Sequence, residues 1–224
     1  MPKPKGKQRQ RTRIFLVDDH PLVLEGLTQC LQQEPGFTVA GHASNSKEAL
    51  RAIKAAPPDI VIVDIALPGR DGLELIKDLQ ALQPACRCLV LSMFEEELYG
   101  ERALRAGAQG YVMKHEPPET LIAAIRQVLA GNLVAGTVIM QRALKWNLRP
   151  PEAHALAPEQ ELTDRELEVY RLIGLGRRRP AIAAQLDISV KTFEAHRANI
   201  RRKLGLSSAG ALLLRASQFV RESA

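Results

Sequence analysis

The sequence predicts two domains of different class: an α/β domain on a doubly wound, five-stranded parallel sheet, then a small all-α domain of four helices carrying a helix-turn-helix. Three observations carry this reading. Short apolar runs alternate with helical patterns from Ile14 to Ala130, the signature of repeated βα units. Within them, Asp59-Ile60-Val61-Ile62-Val63-Asp64 sets four β-branched residues in a row between Pro57-Pro58 and Leu67-Pro68-Gly69, as a strand buried on both faces does. Beyond Leu162 only helical periodicity remains, punctuated by caps and glycines.

Taken in order, Ile14 to Val17 is the first strand, and a helix from Pro21 to Gln33 sets Val23, Gly26, Leu27, Cys30 and Leu31 on one face before Pro35-Gly36 stops it. Phe37 to Ala40 is a weak second strand, and Ser46 to Ala56 is helical. The Asp64 strand is third. Leu73 to Leu82 is helical, Cys88 to Leu91 is the fourth strand, Glu95 to Ala106 is helical, Gly110 to Met113 is the fifth strand, and Pro118 to Ala130 is the fifth helix.

Composition allows both domains. A chain of 224 residues that is 46% hydrophobic and 25% charged has ample core material, and with aromatics at 4% that core is aliphatic. No apolar run is long enough to span a bilayer, and no signal peptide is recognisable, so a cytoplasmic protein without a membrane partner is expected. Cys30, Cys86 and Cys88 are too few for a disulfide framework, and no second ligand pair completes a metal site around Cys86 and Cys88. The net charge of +6 is unevenly spread. Residues 1–12 form a basic, disordered leader, residues 14–160 carry 13 bases against 18 acids, and residues 161–224 carry 12 bases against 7 acids. A basic rear domain suits a polyanionic partner.

The chemistry gathers at strand ends. Asp18 and Asp19 end the first strand, Asp64 the third, Ser92 the fourth and Lys114 the fifth, so all five reach the edge where open α/β sheets bind their ligands. Converging carboxylates repel unless a cation neutralises them, and an all-oxygen cluster suits Mg²⁺. A hydroxyl and an ammonium beside them are the groups a phosphoryl oxygen needs, so the Asp64 carboxylate reads as a nucleophile toward phosphorus. His20, next to the acidic pair, is assigned no catalytic role.

Asp18-Asp19, Asp64 followed by Leu67-Pro68-Gly69 and Asp71-Gly72, Ser92, Tyr111 and Lys114 together resemble the receiver domain of bacterial two-component response regulators, over residues 13–132. That resemblance implies a flavodoxin-like fold in which Asp64 is the phospho-acceptor for a sensor histidine kinase. It implies Mg²⁺ held by Asp19, Asp64 and the Ala66 backbone carbonyl, with Asp18 acting mainly through a metal-bound water. Lys114 would pair with the phosphoryl group, Ser92 would move to bond it, and Tyr111 would turn inward behind Ser92.

Residues 133–160 read as a linker, with a helical pattern over 137–147 through Val138, Ile139, Leu144 and Trp146 that Pro150-Pro151 breaks. The rear domain, 161–224, opens on a capping box with Thr163 as N-cap and Glu166 three residues on. A short helix starts near Pro180, Asp187-Ile188-Ser189 turns the chain, and a third helix from Val190 to Leu204 buries Val190, Phe193, Ile200 and Leu204. Leu162-Thr163, Arg165-Glu166, Ser189-Val190-Lys191-Thr192 and His196-Arg197-Ala198-Asn199-Ile200 closely resemble the effector domain of the NarL/LuxR class of transcription regulators. The resemblance implies that Glu194, Ala195 and Ala198 face bases of double-stranded promoter DNA while Lys191, Thr192, Arg201 and Arg202 lie near the backbone. It also implies a homodimer through Leu212 and Leu213 of the last helix. Arg177-Arg178-Arg179-Pro180 and Phe193 depart from the family pattern.

The joint expectation is a DNA-binding response regulator, switched by phosphorylation that relieves interdomain inhibition, with RNA polymerase as a further partner. Only self-phosphotransfer and slow autodephosphorylation are expected of it, not enzyme turnover. Two rivals stand beside it. A phosphohydrolase would want a second acid two residues after Asp64, where Ala66 stands, and a receiver that never takes phosphate would not need the whole set with Ser92 and Lys114.

Overall fold

A computed structural model describes residues 11–67, 72–137, 139–141, 158–186 and 188–222. The expectations placed on the leader before residue 11, on Pro68, Gly69 and Asp71, on Val138, Leu144, Trp146 and Pro150-Pro151, and on Asp187 lie outside the described residues. The chain divides into two compact units, Met1–Leu144 and Lys145–Ala224.

The front unit alternates β1 (Thr12–Val17), α1 (Pro21–Gln33), β2 (Phe37–Ala43), α2 (Ser46–Ala55), β3 (Ile60–Val63), α3 (Gly72–Leu82), β4 (Arg87–Ser92), α4 (Glu96–Ala106), β5 (Gly110–Met113) and α5 (Pro118–Leu129). All pairings are parallel, in the order β2-β1-β3-β4-β5. The strand order reverses beside β1, which puts a crevice at the carboxyl ends of β1 and β3. Ile60, Val61, Ile62 and Val63 are all buried, as a central strand covered on both faces requires. One face packs Ile14, Leu16, Ile60, Ile62, Leu89, Leu91 and Val112 against Leu24 and Leu31 of α1 and Leu121, Ile125 and Val128 of α5. Alternate residues of the same strands, Phe15, Val61, Val63, Cys88 and Val90, point the other way into an equally buried layer.

Helix ends follow the sequence. Asn45 caps α2 by accepting from Glu48 N at 3.0 Å, and Gly107 at φ 105° ends α4 in the left-handed conformation that favours glycine. Two sequence expectations shift. β2 extends through Ala43, because beyond a register shift at Ile14/Phe15 it pairs with β1 as far as Val17↔Ala43. Gly26, placed on the apolar face of α1, is exposed, and an added Cβ there would meet nothing within 4 Å.

The start of the expected linker belongs to the front unit. Val134 bridges to Gly110, its carbonyl accepts from Tyr111 N at 2.8 Å, and its N–H donates to Gln109 O at 2.9 Å. Gly136 N donates to Glu96 Oε1 at 2.6 Å, and Ile139 is buried. Backbone pairing with β5 decides this, and apolar periodicity does not report it.

The rear unit follows a single 3₁₀ turn (Pro158–Glu161) with α6 (Asp164–Gly174), α7 (Arg179–Gln185), α8 (Val190–Lys203) and α9 (Ala209–Glu222). The capping box on α6 is reciprocal: Thr163 Oγ1 accepts from Glu166 N at 3.2 Å, and Thr163 N donates to Glu166 Oε2 at 2.8 Å. Glu166 is buried and its charge is met by Lys203 Nζ at 2.6 Å, which ties α6 to the end of α8. Phe193, Ile200 and Leu204 are buried as expected, but Val190 is 47% exposed because it is the first residue of α8, beyond the packed turn. Tyr170 of α6 lies against Phe219 of α9 with ring centroids 5.4 Å apart. The two helices approach so closely at Gly174 that an added Cβ would stand 2.3 Å from the Ala216 carbonyl oxygen.

Among the described residues no helix is long and apolar enough to cross a membrane. The cysteines are free, and burial pushes the Cys86 thiol up to about 11 and the Cys88 thiol up to about 12. A buried neutral thiol favours the folded chain below the unfolded value of about 8.5, and this contribution is lost as pH rises through the folded value. Alkylation at pH 8 is therefore expected to spare Cys86 and Cys88 in the native chain and to reach them in denaturant. Native labelling read by peptide mass spectrometry would contradict the packing. The glycines supply a second check. Gly174→Ala should cost about 1–3 kcal/mol through overpacking between α6 and α9, whereas Gly26→Ala should gain about 0.5–1 kcal/mol by relieving a helix-interior glycine, both read by denaturant unfolding.

Candidate functional site: an acidic crevice and an exposed basic helix

The ladder delivers the acidic residues to one place. Asp64 follows β3 directly, and its N–H donates to the Val17 carbonyl at 2.9 Å, which carries the β1 pairing one residue further and sets Asp64 beside Asp18. Asp18 is held in turn by Ala43 O, which accepts from its N–H at 3.1 Å. Both side chains are 3% exposed. The Lys114 ammonium, just past β5, reaches both, 2.6 Å from Asp18 Oδ2 and 2.6 Å from Asp64 Oδ2. Asp19 is less covered, and its Oδ1 is buried yet accepts no hydrogen bond. Ala66 N donates to Asp64 Oδ1 at 3.3 Å, closing the turn after the strand. At Gly72 a Cβ would fall 2.0 Å from the Asp64 carbonyl oxygen, so only glycine lets α3 begin this close to the site.

Among the described residues, the carboxylates of the crevice outnumber its ammonium groups. Burial raises the Asp64 carboxyl above its usual value, Lys114 opposes that rise, and Asp18 adds to it. For Lys114, burial works against the ammonium, but Asp64 and Asp18 more than offset it and its pKa is raised. Both directions favour bound protons, through burial at Asp64 and through the two neighbouring aspartates at Lys114. Asp18, Asp19, His20 and Asp64 each offer a ligand atom, all within 4.8 Å of one another. That donor set, with an Asp19 Oδ1 that is buried without a hydrogen bond, fits a cation. A cleft of about 280 Å³ lined by His20, Val23, Leu27, Leu91, Met93 and Lys114 opens beside it.

Ser92 and Tyr111 share a partner. Ser92 is buried and its Oγ accepts from Phe94 N at 3.3 Å. Tyr111 is already buried, and its hydroxyl donates to Phe94 O at 2.8 Å. The Phe94 ring stacks on Tyr99 of α4 at 4.7 Å. Sequence reasoning missed Phe94, because its link to both residues runs through backbone atoms that any residue supplies.

In the rear unit, Lys191, Thr192, Ala195, Ala198, Asn199 and Arg202 of α8 are exposed. Ser189 caps the helix by accepting from Thr192 N at 3.0 Å. Two expected DNA-facing residues are engaged within the chain. Arg201 donates to the Ser207 carbonyl at 2.7 Å, fastening the turn into α9. Glu194 accepts from Arg179 at 3.2 Å and pairs with Arg197 at 2.7 Å, two arginines that the helical pattern did not single out. Of the expected dimer residues, Leu212 is 1% exposed and fills the core of its own unit, while Leu213 is 47% and the neighbouring Leu214 70% exposed. Helical spacing points 212 inward and its two neighbours outward.

Comparison with known proteins agrees with both halves. Residues 14–126 match the response regulator receiver domain family, and residues 160–216 match the luxR family of bacterial regulatory proteins. The nitrate/nitrite response regulator protein NarL of Escherichia coli K12 is 33% identical over 195 residues, covering 87% of this chain and 90% of that protein. The oxygen regulatory protein NreC of Staphylococcus aureus is 34% identical over 200 residues, covering 88% and 92%. A LuxR-family two-component response regulator from Aurantimonas has a TM-score of 0.56 at 35% identity, over 62% of this chain and all of that one. RcsB of Salmonella enterica serovar Typhimurium, solved on promoter rprA with the phosphomimetic BeF3⁻, has a TM-score of 0.59 at 25% identity, over 93% and 99%. With a parallel sheet that gathers its acids at one edge and a helix-turn-helix unit behind it, the chain belongs to the two-component response regulators that couple a receiver domain to a LuxR-type DNA-binding domain.

Proposed function

We propose that this regulator is switched by phosphorylation of Asp64 from a sensor histidine kinase, and that the phosphorylated form binds promoter DNA as a homodimer. The observation that carries the reading is the Lys114 ammonium set 2.6 Å from both Asp18 and Asp64 in a crevice where, among the described residues, carboxylates outnumber ammonium groups. The Asp64 carboxylate oxygen attacks phosphorus, the P–N bond of the donor phosphohistidine breaks, and the imidazole keeps the electron pair, leaving an acyl phosphate on Asp64. Lys114 meets the new oxygens as it now meets the carboxylates. Asp18, Asp19, Asp64 and the Ala66 carbonyl are the groups to hold Mg²⁺, which supplies positive charge against both the carboxylates and the phosphoryl oxygens.

Ser92 bonds the phosphoryl group by turning its hydroxyl away from Phe94 N. Because Tyr111 holds the carbonyl of the same residue and the Phe94 ring stacks on Tyr99, that turn is felt at the start of α4. The resulting shift relieves interdomain inhibition. Residues 13–132, with the Val134 segment that pairs onto β5, serve as the receiver, and residues 161–224 bind DNA. Lys191, Thr192 and Arg202 contact phosphates, Ala195 and Ala198 let α8 approach base edges, and Glu194 sets Arg179 and Arg197 at the rim. Dimerisation uses Leu213 with Leu214, the exposed pair of α9.

The test is direct. Incubation with Mg²⁺ and acetyl phosphate should add the mass of one phosphoryl group, labile to hydroxylamine, to the wild type and none to Asp64→Asn. An equal gain in the variant would overturn the acceptor assignment, and rapid turnover of small phosphate esters would favour a hydrolase. On DNA, Lys191→Ala and Arg202→Ala should each weaken binding evenly across sequences and lower the slope of log affinity against log salt by about 1. Slopes unchanged in both variants would remove those residues from the phosphate contacts.

A further inference from the structure

The acidic crevice holds a nitrogen donor that the proposed function leaves unused. His20 is the N-cap residue of α1, yet its side chain makes no capping hydrogen bond. Pro21 at the first helical position has no N–H to be capped. The imidazole turns instead toward the carboxylates, with Nδ1 2.7 Å from Asp19 Oδ1 and 3.2 Å from Asp18 Oδ1. Asp19 Oδ1 is buried and makes no hydrogen bond although Nδ1 stands 2.7 Å away, and Asp18 Oδ1 lies in hydrogen-bond reach of Nδ1 while accepting from the His20 N–H at 2.9 Å. Neighbouring ligands on an octahedral ion with bonds of about 2.1 Å stand about 3 Å apart. The two separations bracket that spacing.

We propose that His20 Nδ1 is a ligand of the cation bound by Asp18, Asp19 and Asp64, so that this site favours transition ions such as Mn²⁺ and Co²⁺ over Mg²⁺ more strongly than its oxygen ligands alone would. The reason lies in donor chemistry. Oxygen-only sites suit Mg²⁺, whereas an imidazole adds a nitrogen lone pair that first-row transition ions bind well and Mg²⁺ does not. His20 is 64% exposed on its side chain, so replacing it disturbs no core packing. The inference rests on the acidic cation site proposed above and adds one ligand to it.

The experiment uses the full chain and two metals, Mg²⁺ and Mn²⁺. Calorimetric titration of the wild type and His20→Ala should show an Mn²⁺ to Mg²⁺ affinity ratio at least tenfold higher in the wild type, with the Mg²⁺ affinity itself moving less than threefold. Electron spin-echo spectroscopy of the bound Mn²⁺ should show ¹⁴N modulation in the wild type and lose it in His20→Ala. Mn²⁺ that binds the wild type, is displaced by Mg²⁺ and carries no ¹⁴N modulation would overturn the ligand assignment while leaving the oxygen site standing. An unchanged affinity ratio would do the same. A wild-type chain that binds neither ion would overturn the cation site itself, and this inference with it.

Discussion

The front unit depends on a charge imbalance that its sheet imposes. Parallel pairing of β1 with β3 brings Asp18 and Asp64 together at one edge, both nearly sealed from water, with Asp19 alongside and Lys114 paired to both Asp18 and Asp64. Burial makes that repulsion costly, because little solvent is left to screen it. Burial lifts the Asp64 carboxyl, and the two aspartates lift the Lys114 ammonium. A fold meant only to be stable would not collect its acids there, and such strain belongs to sites built to receive positive charge or a phosphoryl group.

The imbalance is useful because the neighbouring loops can report it. Ser92 and Tyr111 hold opposite sides of Phe94, one through its N–H and one through its carbonyl, and the Phe94 ring lies on Tyr99. Under the proposed switch, a change in what Ser92 bonds would reach α4 through Phe94 and Tyr99. The rear unit shows the complementary economy. Glu166 is buried, completes the cap of α6 and is neutralised by Lys203, so a buried ion pair ties the far end of α8 to α6.

Much of this was legible from residue types and spacing. Asp18, Asp19, Asp64, Ser92 and Lys114 stand at the ends of predicted strands, and strand ends in an alternating βα chain share one edge, so their meeting follows from topology. The capping box at Thr163 and Glu166 was equally plain, because both partners lie within one helical turn. The parts that were not legible involve partners far apart in sequence or groups that every residue carries. Val134 joins the sheet edge through backbone atoms, Phe94 links Ser92 to Tyr111 the same way, and Arg179 reaches Glu194 from another helix.

The sequence by itself determined the two fold classes, the order of elements and which acids would converge, since periodicity and strand-end placement are local properties of the chain. Only the tertiary structure decided the orientation of individual side chains: that Leu212 turns inward and Leu213 outward, that Arg201 fastens a turn, and that His20 faces the carboxylates rather than capping its helix. Those outcomes depend on which surfaces meet in space, and separation along the chain carries no record of that.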